Sequence, residues 1–161
     1  MEQLLPAQYK NVKGARQALL SYCGSMDSAD LLKKINNFNN NSIMDLLVHN
    51  ANTYISWLDN FGLDGILLFY KNVDFKDLND IKLVYAHVDH LVSDFLKKYS
   101  GNYMIPMTKN IARRGITATL TPLQLFTHVI THEFHHKGQI LTMSRLLGYI
   151  PADTDSIRLE N

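Results

Sequence analysis

The chain has 161 residues, which fits one domain over 1–161 that is large enough to bury an ordinary hydrophobic core. Its 16 Lys and Arg residues nearly balance its 15 Asp and Glu residues, and no long basic run occurs, so the sequence argues against nucleic-acid or anionic-membrane binding. With one cysteine, no apolar run long enough to span a membrane and no secretory signal pattern at the N-terminus, the sequence predicts a cytoplasmic protein without disulfides.

Two amphipathic helices are predicted in the first half of the chain. The first covers residues 3–23, where apolar side chains recur at three- and four-residue steps, and Gly24 ends it. A loop or short helical turn follows, with an Asn-rich run at 36–41. The second helix begins at Ser42, which is a suitable N-cap, and ends at Gly62.

One histidine of the second helix lies outside its apolar stripe. His49 shares a polar strip with Asp45, Thr53 and Ser56, well over a quarter-turn from the stripe. Such a strip either faces solvent or lines a polar pocket between neighbouring helices. The helical pattern alone leaves both interpretations open.

A connection and a third helix occupy the middle of the chain. Within the connection 63–80, the segment 67–70 fits a short strand or a packed loop. The third helix is predicted over 78–99 with a continuous apolar stripe. His87 flanks this stripe, whereas His90 lies nearly opposite and is expected to be exposed.

The stretch after the third helix is the least regular of the sequence. Residues 105–107 and 115–120 can pair as a small hairpin, and Arg113 and Arg114 would mark its exposed middle.

The clearest helix of the sequence runs from Thr121 to Gly148, and both of its ends are marked. Thr121 and Gln124 have capping-box spacing, and Pro122 fits the first turn. Gly148 suits the left-handed position that follows a last helical turn. The short polar tail beyond it is expected to lie extended over the surface.

Four of the chain's seven histidines lie on this last helix, at positions 128, 132, 135 and 136. At about 100° per residue, His132 and His136 are only about 40° apart and one turn above each other. Their stripe is shared with apolar residues such as Val129 and Ile140, so we expect the pair to point into the core. Two imidazoles in this arrangement can converge on one metal ion.

Four amphipathic helices can bury their apolar stripes only against one another. The predicted fold is therefore all-α, an up-and-down four-helix bundle with irregular connections. Metal sites in such bundles are built from facing helices. A third ligand could come from His49, His87 or His128. His128 and His136 start about 12 Å apart along one helix axis, which makes a shared ion awkward.

Two motifs of the sequence resemble the DinB/YfiT-like metal-binding bundles. The motif on the second helix consists of Ser42-Ile43, Leu46-Leu47, His49 and Trp57-Leu58. The motif on the last helix consists of Thr121, His128, His132-Glu133, the run from His135 to Ile140 that includes Gln139, and Leu147-Gly148. The order of helices extends the resemblance over nearly the whole chain.

The resemblance implies a divalent metal held by His49, His132 and His136 in a cleft open to solvent, and a homodimer. The polar strip around His49 fits such a cleft, so we predict His49 as the third ligand and His87 as its main rival. Members of the family are not DNA polymerases. Some relatives are transferases or isomerases that use low-molecular-weight thiols, and many have no assigned reaction.

Three neutral imidazoles would leave the full charge on the metal, which could acidify a bound water for hydrolysis or a bound thiol for transfer. Zinc or nickel suits these ligands, with iron and manganese as further candidates. The sequence therefore predicts a metal-dependent thiol transferase or hydrolase acting on small molecules. The alternative from another class is a non-catalytic bundle in which the metal only staples helices together.

A second enzymatic interpretation comes from the literal H-E-x-x-H spacing of His132, Glu133 and His136, which is the metallopeptidase signature. Glu133 would then act as a general base, and otherwise it would be a solvated carboxylate on the helix surface. The chain offers no convincing sheet to align a peptide substrate. Gln139, one turn beyond His136, is either a residue that orients a ligand or an ordinary packed or solvated amide.

Overall fold

Helices make up most of the protein in the computed structural model, which describes residues 3–66, 68–72, 75, 77–111 and 115–158. The α-helices are α1 (Leu4–Cys23), α2 (Ser28–Leu32), α3 (Ile43–Tyr54), α4 (Leu78–Lys98) and α5 (Pro122–Leu146). A 3₁₀ turn covers Asn36–Phe38, a π-helix covers Ile55–Leu63, and the strands are β1 (Met107–Ile111) and β2 (Ile116–Leu120). The prediction of a mainly helical chain is confirmed.

Each of the four long helices contacts two of the others. Helix α3 packs against α4 and α5, and α1 packs against the same two helices. Their inward faces form one hydrophobic cluster, whose largest fully buried side chains include Tyr54, Phe95 and Phe126. The helical stripes predicted from the sequence are the faces that form this core.

Both ends of α5 follow the sequence signals. The Gln124 backbone N–H donates to the Thr121 hydroxyl at 3.1 Å, and the Gln124 side-chain oxygen accepts from the Thr121 N–H at 2.8 Å. This reciprocal pair satisfies two donors that a helix start otherwise leaves unpaired. At the other end, Gly148 has a φ of 93°, which is the left-handed conformation expected there.

The second predicted helix differs from expectation in its later half. Helix α3 continues into the π-helix Ile55–Leu63, where hydrogen bonds span five residues and the α-helical periodicity no longer applies. The C-terminal end of this segment is tied down by Tyr99, Lys98 and Lys109, which all donate to the Gly62 carbonyl. The second predicted helix therefore ends within one residue of the predicted Gly62, but its last nine residues are π-helical instead of α-helical.

The hairpin is present with a shifted start. Strands β1 and β2 pair antiparallel from Met107–Leu120 to Ile111–Ile116, so residues 105 and 106 precede the ladder. Arg113 and Arg114, predicted at its exposed middle, lie outside the described residues.

The connection after the π-helix is a loop where it is described. Leu67 lies outside the described residues, and residues 68–70 form no strand. Phe69 and Tyr70 pack against the core, whereas Leu68 is 88% exposed. The loop therefore packs through two consecutive side chains, Phe69 and Tyr70, while Leu68 faces solvent.

The tail after Gly148 is more firmly held than its polar sequence predicts. Thr154 is only 2% exposed, and its carbonyl accepts a 2.7 Å hydrogen bond from the Lys137 ammonium. This buried contact, together with the Asp155 carboxylate 3.5 Å from the same ammonium, anchors the described part of the tail to α5.

A buried ion pair crosses the centre of the helices. Arg16 on α1 is 4% exposed, and its Nε and Nη2 donate to the two carboxylate oxygens of Glu133 on α5 at 2.7 and 2.8 Å. Arg16 Nη1 also donates to Asp89 of α4 at 2.7 Å, and the Tyr54 hydroxyl of α3 donates to Glu133. One hydrogen-bonded cluster therefore joins α1, α3, α4 and α5.

The burial of this pair predicts a large cost for breaking it. Arg16→Met should lower the free energy of unfolding by about 3–5 kcal/mol, because Glu133 would stay buried without its cation. Replacing both partners, as Arg16→Met with Glu133→Leu, should recover most of that loss, since the remaining carboxylate, Asp89, is 32% exposed and can be hydrated. Urea denaturation measures both effects.

Lys13→Met is the matched control for this prediction. Lys13 lies on the same helix and reaches the same Asp89, but at 4.0 Å and with 47% of its side chain exposed. Exposed ion pairs contribute little to stability, so losing the Lys13–Asp89 pair should lower the free energy of unfolding by less than about 1 kcal/mol. Equal stabilities of Arg16→Met and Lys13→Met would contradict the proposed importance of the buried pair.

Candidate metal centre

Three histidines from two facing helices converge at one point. His49 of α3 and His132 of α5 bring their Nε2 atoms to 3.0 Å. One ring nitrogen from each of His49, His132 and His136 lies within 4.8 Å of the others. Nitrogens bound tetrahedrally to zinc at about 2.05 Å would be about 3.3 Å apart. The three imidazoles are therefore positioned to bind a metal ion.

The triad extends from the core edge to the surface. His136 is 9% exposed, His132 is half-buried and His49 is exposed. The expectation that His132 and His136 both point into the core is therefore correct for His136 and wrong for His132. Val129 and Ile140 of the same stripe are fully buried. The triad stands where the stripe leaves the core and meets solvent.

Gln139 fixes the orientation of the most buried histidine. Its side-chain oxygen lies 2.6 Å from His136 Nδ1. An amide oxygen only accepts hydrogen bonds, so Nδ1 carries the proton and the lone pair of Nε2 is available to a metal. Of the two interpretations of Gln139, the geometry favours the residue that orients a ligand.

The triad favours neutral imidazoles, which is the form that binds metals. Burial lowers the pKa of His49. Burial also lowers the pKa of His136, although the hydrogen bond with Gln139 acts in the opposite direction. Burial, followed by repulsion from His136 and His49, lowers the pKa of His132 to about 4. Protons therefore compete weakly for these nitrogens near neutral pH.

The rival histidines lie elsewhere. His87 is exposed on α4, and its Nδ1 is 2.7 Å from the Tyr70 hydroxyl. His128 packs its ring edge-on against Trp57, with centroids 5.1 Å apart, and lies beside His132 without joining the converging nitrogens. His90 is exposed as predicted. The structure thus brings His49, rather than His87 or His128, to the pair on α5.

Glu133 is neither solvated nor placed beside the triad as a base. It is 6% exposed, and both carboxylate oxygens accept hydrogen bonds from Arg16, with Tyr54 as a further donor. The expectation that Glu133 is a solvated surface carboxylate is therefore wrong. Because the carboxylate is hydrogen-bonded to Arg16 of α1, the structure gives no support to a role as the general base of a metallopeptidase. Arg16 was not singled out from the sequence, although its place on the apolar stripe of α1 was a signal.

A cavity of about 380 Å³ opens beside the triad. The residues that line it are His49, Asn52, Thr53, Ser56, Trp57, Phe69, His128 and His132. One wall contains His49, Thr53 and Ser56 of the predicted polar strip, so this part of the strip lines a pocket, whereas Asp45 is buried in the capping box at the start of α3. Asn52 holds the adjoining loop, because its amide pairs with both the N–H and the carbonyl of Tyr70 at 2.8 and 2.9 Å.

Sequence comparison identifies the family of the chain. The sequence matches the DinB family over residues 1–161. The chain belongs to the DinB family. No curated protein matches the sequence of this DinB-family chain. Within the part of the chain that the structure describes, none of the helices has both the length and the apolar character required to cross a membrane.

The histidine environment predicts how acid affects the metal-free DinB-family protein. The pKa of His132 is about 4 when folded, against 6.5 as its ordinary value, so the unfolded chain binds protons more readily. The stabilisation is fully present above pH 6.5 and is lost as the pH falls toward 4. Urea denaturation across this range, in the presence of a chelator, should show this decline.

His132→Asn is the informative variant for this pH dependence, and His90→Asn is its exposed-histidine control. The decline in unfolding free energy between pH 6.5 and 4 should be smaller in His132→Asn than in wild type, whereas His90→Asn should follow wild type. A decline of the same size in all three proteins would disprove the assignment.

The Gln139 contact predicts a loss of metal affinity when it is removed. Gln139→Ala should weaken zinc binding about 10–100-fold, because His136 loses the acceptor that fixes its ring. Gln139→Glu keeps an acceptor at the same place and should retain tight binding. Competition with a chromophoric chelator measures both affinities, and wild-type affinity in Gln139→Ala would refute the orienting role.

Proposed function

We propose that this DinB-family protein binds a divalent metal, zinc or nickel, through His49, His132 and His136, and that it is a metal-dependent thiol transferase or hydrolase acting on small molecules. The observation that carries the proposal is the convergence of three ring nitrogens within 4.8 Å at the edge of a cavity. A sealed structural site would not need such access.

The residues of the chain have separable tasks in this proposal. His136, held by Gln139, is the fixed ligand, and His132 one turn away shares its helix. His49 closes the set from α3 on the exposed side. A divalent metal held there would supply Lewis acidity toward a thiol or a water molecule. The cavity next to His49 and His132 would hold the small-molecule substrate.

The proposal also covers the arrangement of the helices, the oligomeric state and the cellular compartment. The contacts of α1, α3, α4 and α5 support an up-and-down four-helix bundle that forms a single domain over residues 1–161. The family resemblance suggests a homodimer and a low-molecular-weight thiol as co-substrate. The near-neutral charge of +1 supports a protein that binds neither nucleic acid nor anionic membranes, and the single cysteine suits the cytoplasm, where disulfides are rare.

Metal binding is tested by titrating the metal-free protein with zinc and with nickel by calorimetry. We expect one ion per chain, and severe loss of affinity in His49→Ala, His132→Ala and His136→Ala. His87→Ala and His128→Ala are controls that should bind like wild type once circular dichroism confirms their folding. Wild-type affinity in His49→Ala together with loss in His87→Ala would show that the third ligand is wrong.

Metal binding should also raise thermal stability. At a free zinc concentration 100 times the Kd, mass action adds about 2.7 kcal/mol, which is about 5–11 °C in Tm for a chain of this size. Chelation should reverse the shift in wild type and should have no effect on His132→Ala. An unmoved melting curve after demonstrated metal removal would contradict the proposal.

Thiol binding separates the enzyme from the metal-stapled bundle. Cobalt-substituted protein titrated with cysteine should develop a near-ultraviolet sulfur-to-cobalt charge-transfer band if the site has an open position. A spectrum that stays unchanged with cysteine and other small ligands would favour a closed, structural metal.

A further inference from the structure

The cavity beside the triad has a wall that metal binding does not explain. Trp57, Phe69 and His128 come from the π-helix, the following loop and α5, and none of them belongs to the converging set. The rings of Trp57 and His128 meet at 74°, with centroids 5.1 Å apart. These three rings form the aromatic wall of the cavity.

Trp57 lies in the π-helix and forms part of this wall. Residues 49, 52, 53 and 56 follow helical steps along one face and form the polar side of the cavity. Trp57 lies immediately beyond them, in the wide turn that begins at Ile55. Single π-turns inside helices frequently occur at functional sites. Trp57 therefore belongs both to the π-helix and to the lining of the cavity.

The described lining contains neither carboxylate, lysine nor arginine. A negatively charged group seated against the aromatic wall would thus lose its hydration without meeting a cation from the protein. Flat unsaturated groups gain from edge-to-face and offset contacts with aromatic rings. Ser56 adds a hydroxyl to the polar side that can donate to an oxygen of the ligand.

The size of the cavity suits a small molecule. A cavity of about 150 Å³ is enough to hold benzene, so 380 Å³ accommodates a ring with a short substituent that reaches the triad. A larger groove of about 630 Å³ lies between α1 and α4. Its charged lining consists of surface lysines and of Asp89, which is already paired with Tyr9 and Arg16, so it carries no comparable argument.

We propose that the aromatic wall of Trp57, Phe69 and His128 binds a flat, unsaturated group of the substrate that carries no negative charge, and that Trp57 and His128 determine specificity for that group. This inference rests on the proposed function, because it places the ligand beside the histidines that would hold the metal. The inference gives the chemical class of the part of the substrate that lies away from the metal.

Trp57 is itself the reporter for the test, because it is the only tryptophan of the chain. Methyl phenyl sulfone and cyclohexyl methyl sulfone share the methyl sulfone group and a six-carbon ring, which is flat and unsaturated only in the phenyl compound. Each is titrated into zinc-supplemented and metal-free protein while Trp57 fluorescence is followed. The phenyl compound should bind about 2–13-fold more tightly, which is the range expected for one aromatic contact.

Charge is tested with benzenesulfonate in metal-free protein, where no cation can compensate it. Its affinity should be at least about tenfold lower than that of methyl phenyl sulfone. Equal affinity of the two sulfones, or tighter binding of benzenesulfonate than of methyl phenyl sulfone, would overturn the inference.

Variants assign the preference to the wall. Trp57→Leu and His128→Leu should each reduce the phenyl preference, measured by ligand-observed NMR, whereas Trp57→Phe should restore most of it. His90→Leu, on the exposed side of α4, is the matched control and should keep the wild-type preference. Circular dichroism and zinc affinity confirm that each variant is folded, and an unchanged preference in folded Trp57→Leu would refute the assignment.

The two proposals fail in different ways. If wild-type protein binds zinc but does not distinguish the two sulfones, the inference about the wall is wrong while the metal centre stands. If the phenyl preference is present but the protein does not bind zinc or nickel, the proposed function is wrong, while the inference about which group the aromatic wall binds still holds.

Discussion

The buried pair of Arg16 and Glu133 determines how the last helix is turned. Glu133 faces α1, where its carboxylate accepts two hydrogen bonds from the guanidinium. On an α-helix, His132 and His136 lie about 60–100° to one side of Glu133. Fixing Glu133 against α1 therefore directs both histidines toward His49 on α3. Because a buried charge without its partner is costly, other rotations of α5 are disfavoured. The interior ion pair and the surface-reaching triad are two results of the same helix orientation.

Local signals explain how much of this arrangement could be predicted from the sequence. The capping box of Thr121 and Gln124 and the spacing of His132 and His136 depend on residues within one or two turns, and both were predicted correctly. The choice of His49 needed the family resemblance as well as its polar strip. The role of Glu133 was missed because its partner is 117 residues away in the sequence. The π-helix was also missed, since its side chains resemble those of an ordinary amphipathic helix.

The graded burial of the triad gives its members different mechanical properties. His136 is nearly enclosed and is held by Gln139, so its nitrogen has a defined position. His49 stands at the surface, where fewer contacts restrict its ring. Because α3 and α5 pack directly against each other, small adjustments of His49 can meet the geometric demands of different metals without moving the helices. A rigid inner ligand and an adjustable outer one can coexist in one site.

The double hydrogen bond between Asn52 and the backbone of Tyr70 has a consequence for how such a protein can diversify. The Asn52 amide pairs with the Tyr70 backbone as a neighbouring strand would, and together with the hydrogen bond from Asn72 to Asp45 it fastens the loop that carries Phe69 to α3. The loop contributes to the cavity but supplies none of the three histidines. Its length and side chains can therefore change between relatives while the helices that carry the triad stay as they are. Natural variation in ligand preference is then expected at Phe69 and its loop neighbours as well as at Trp57 and His128.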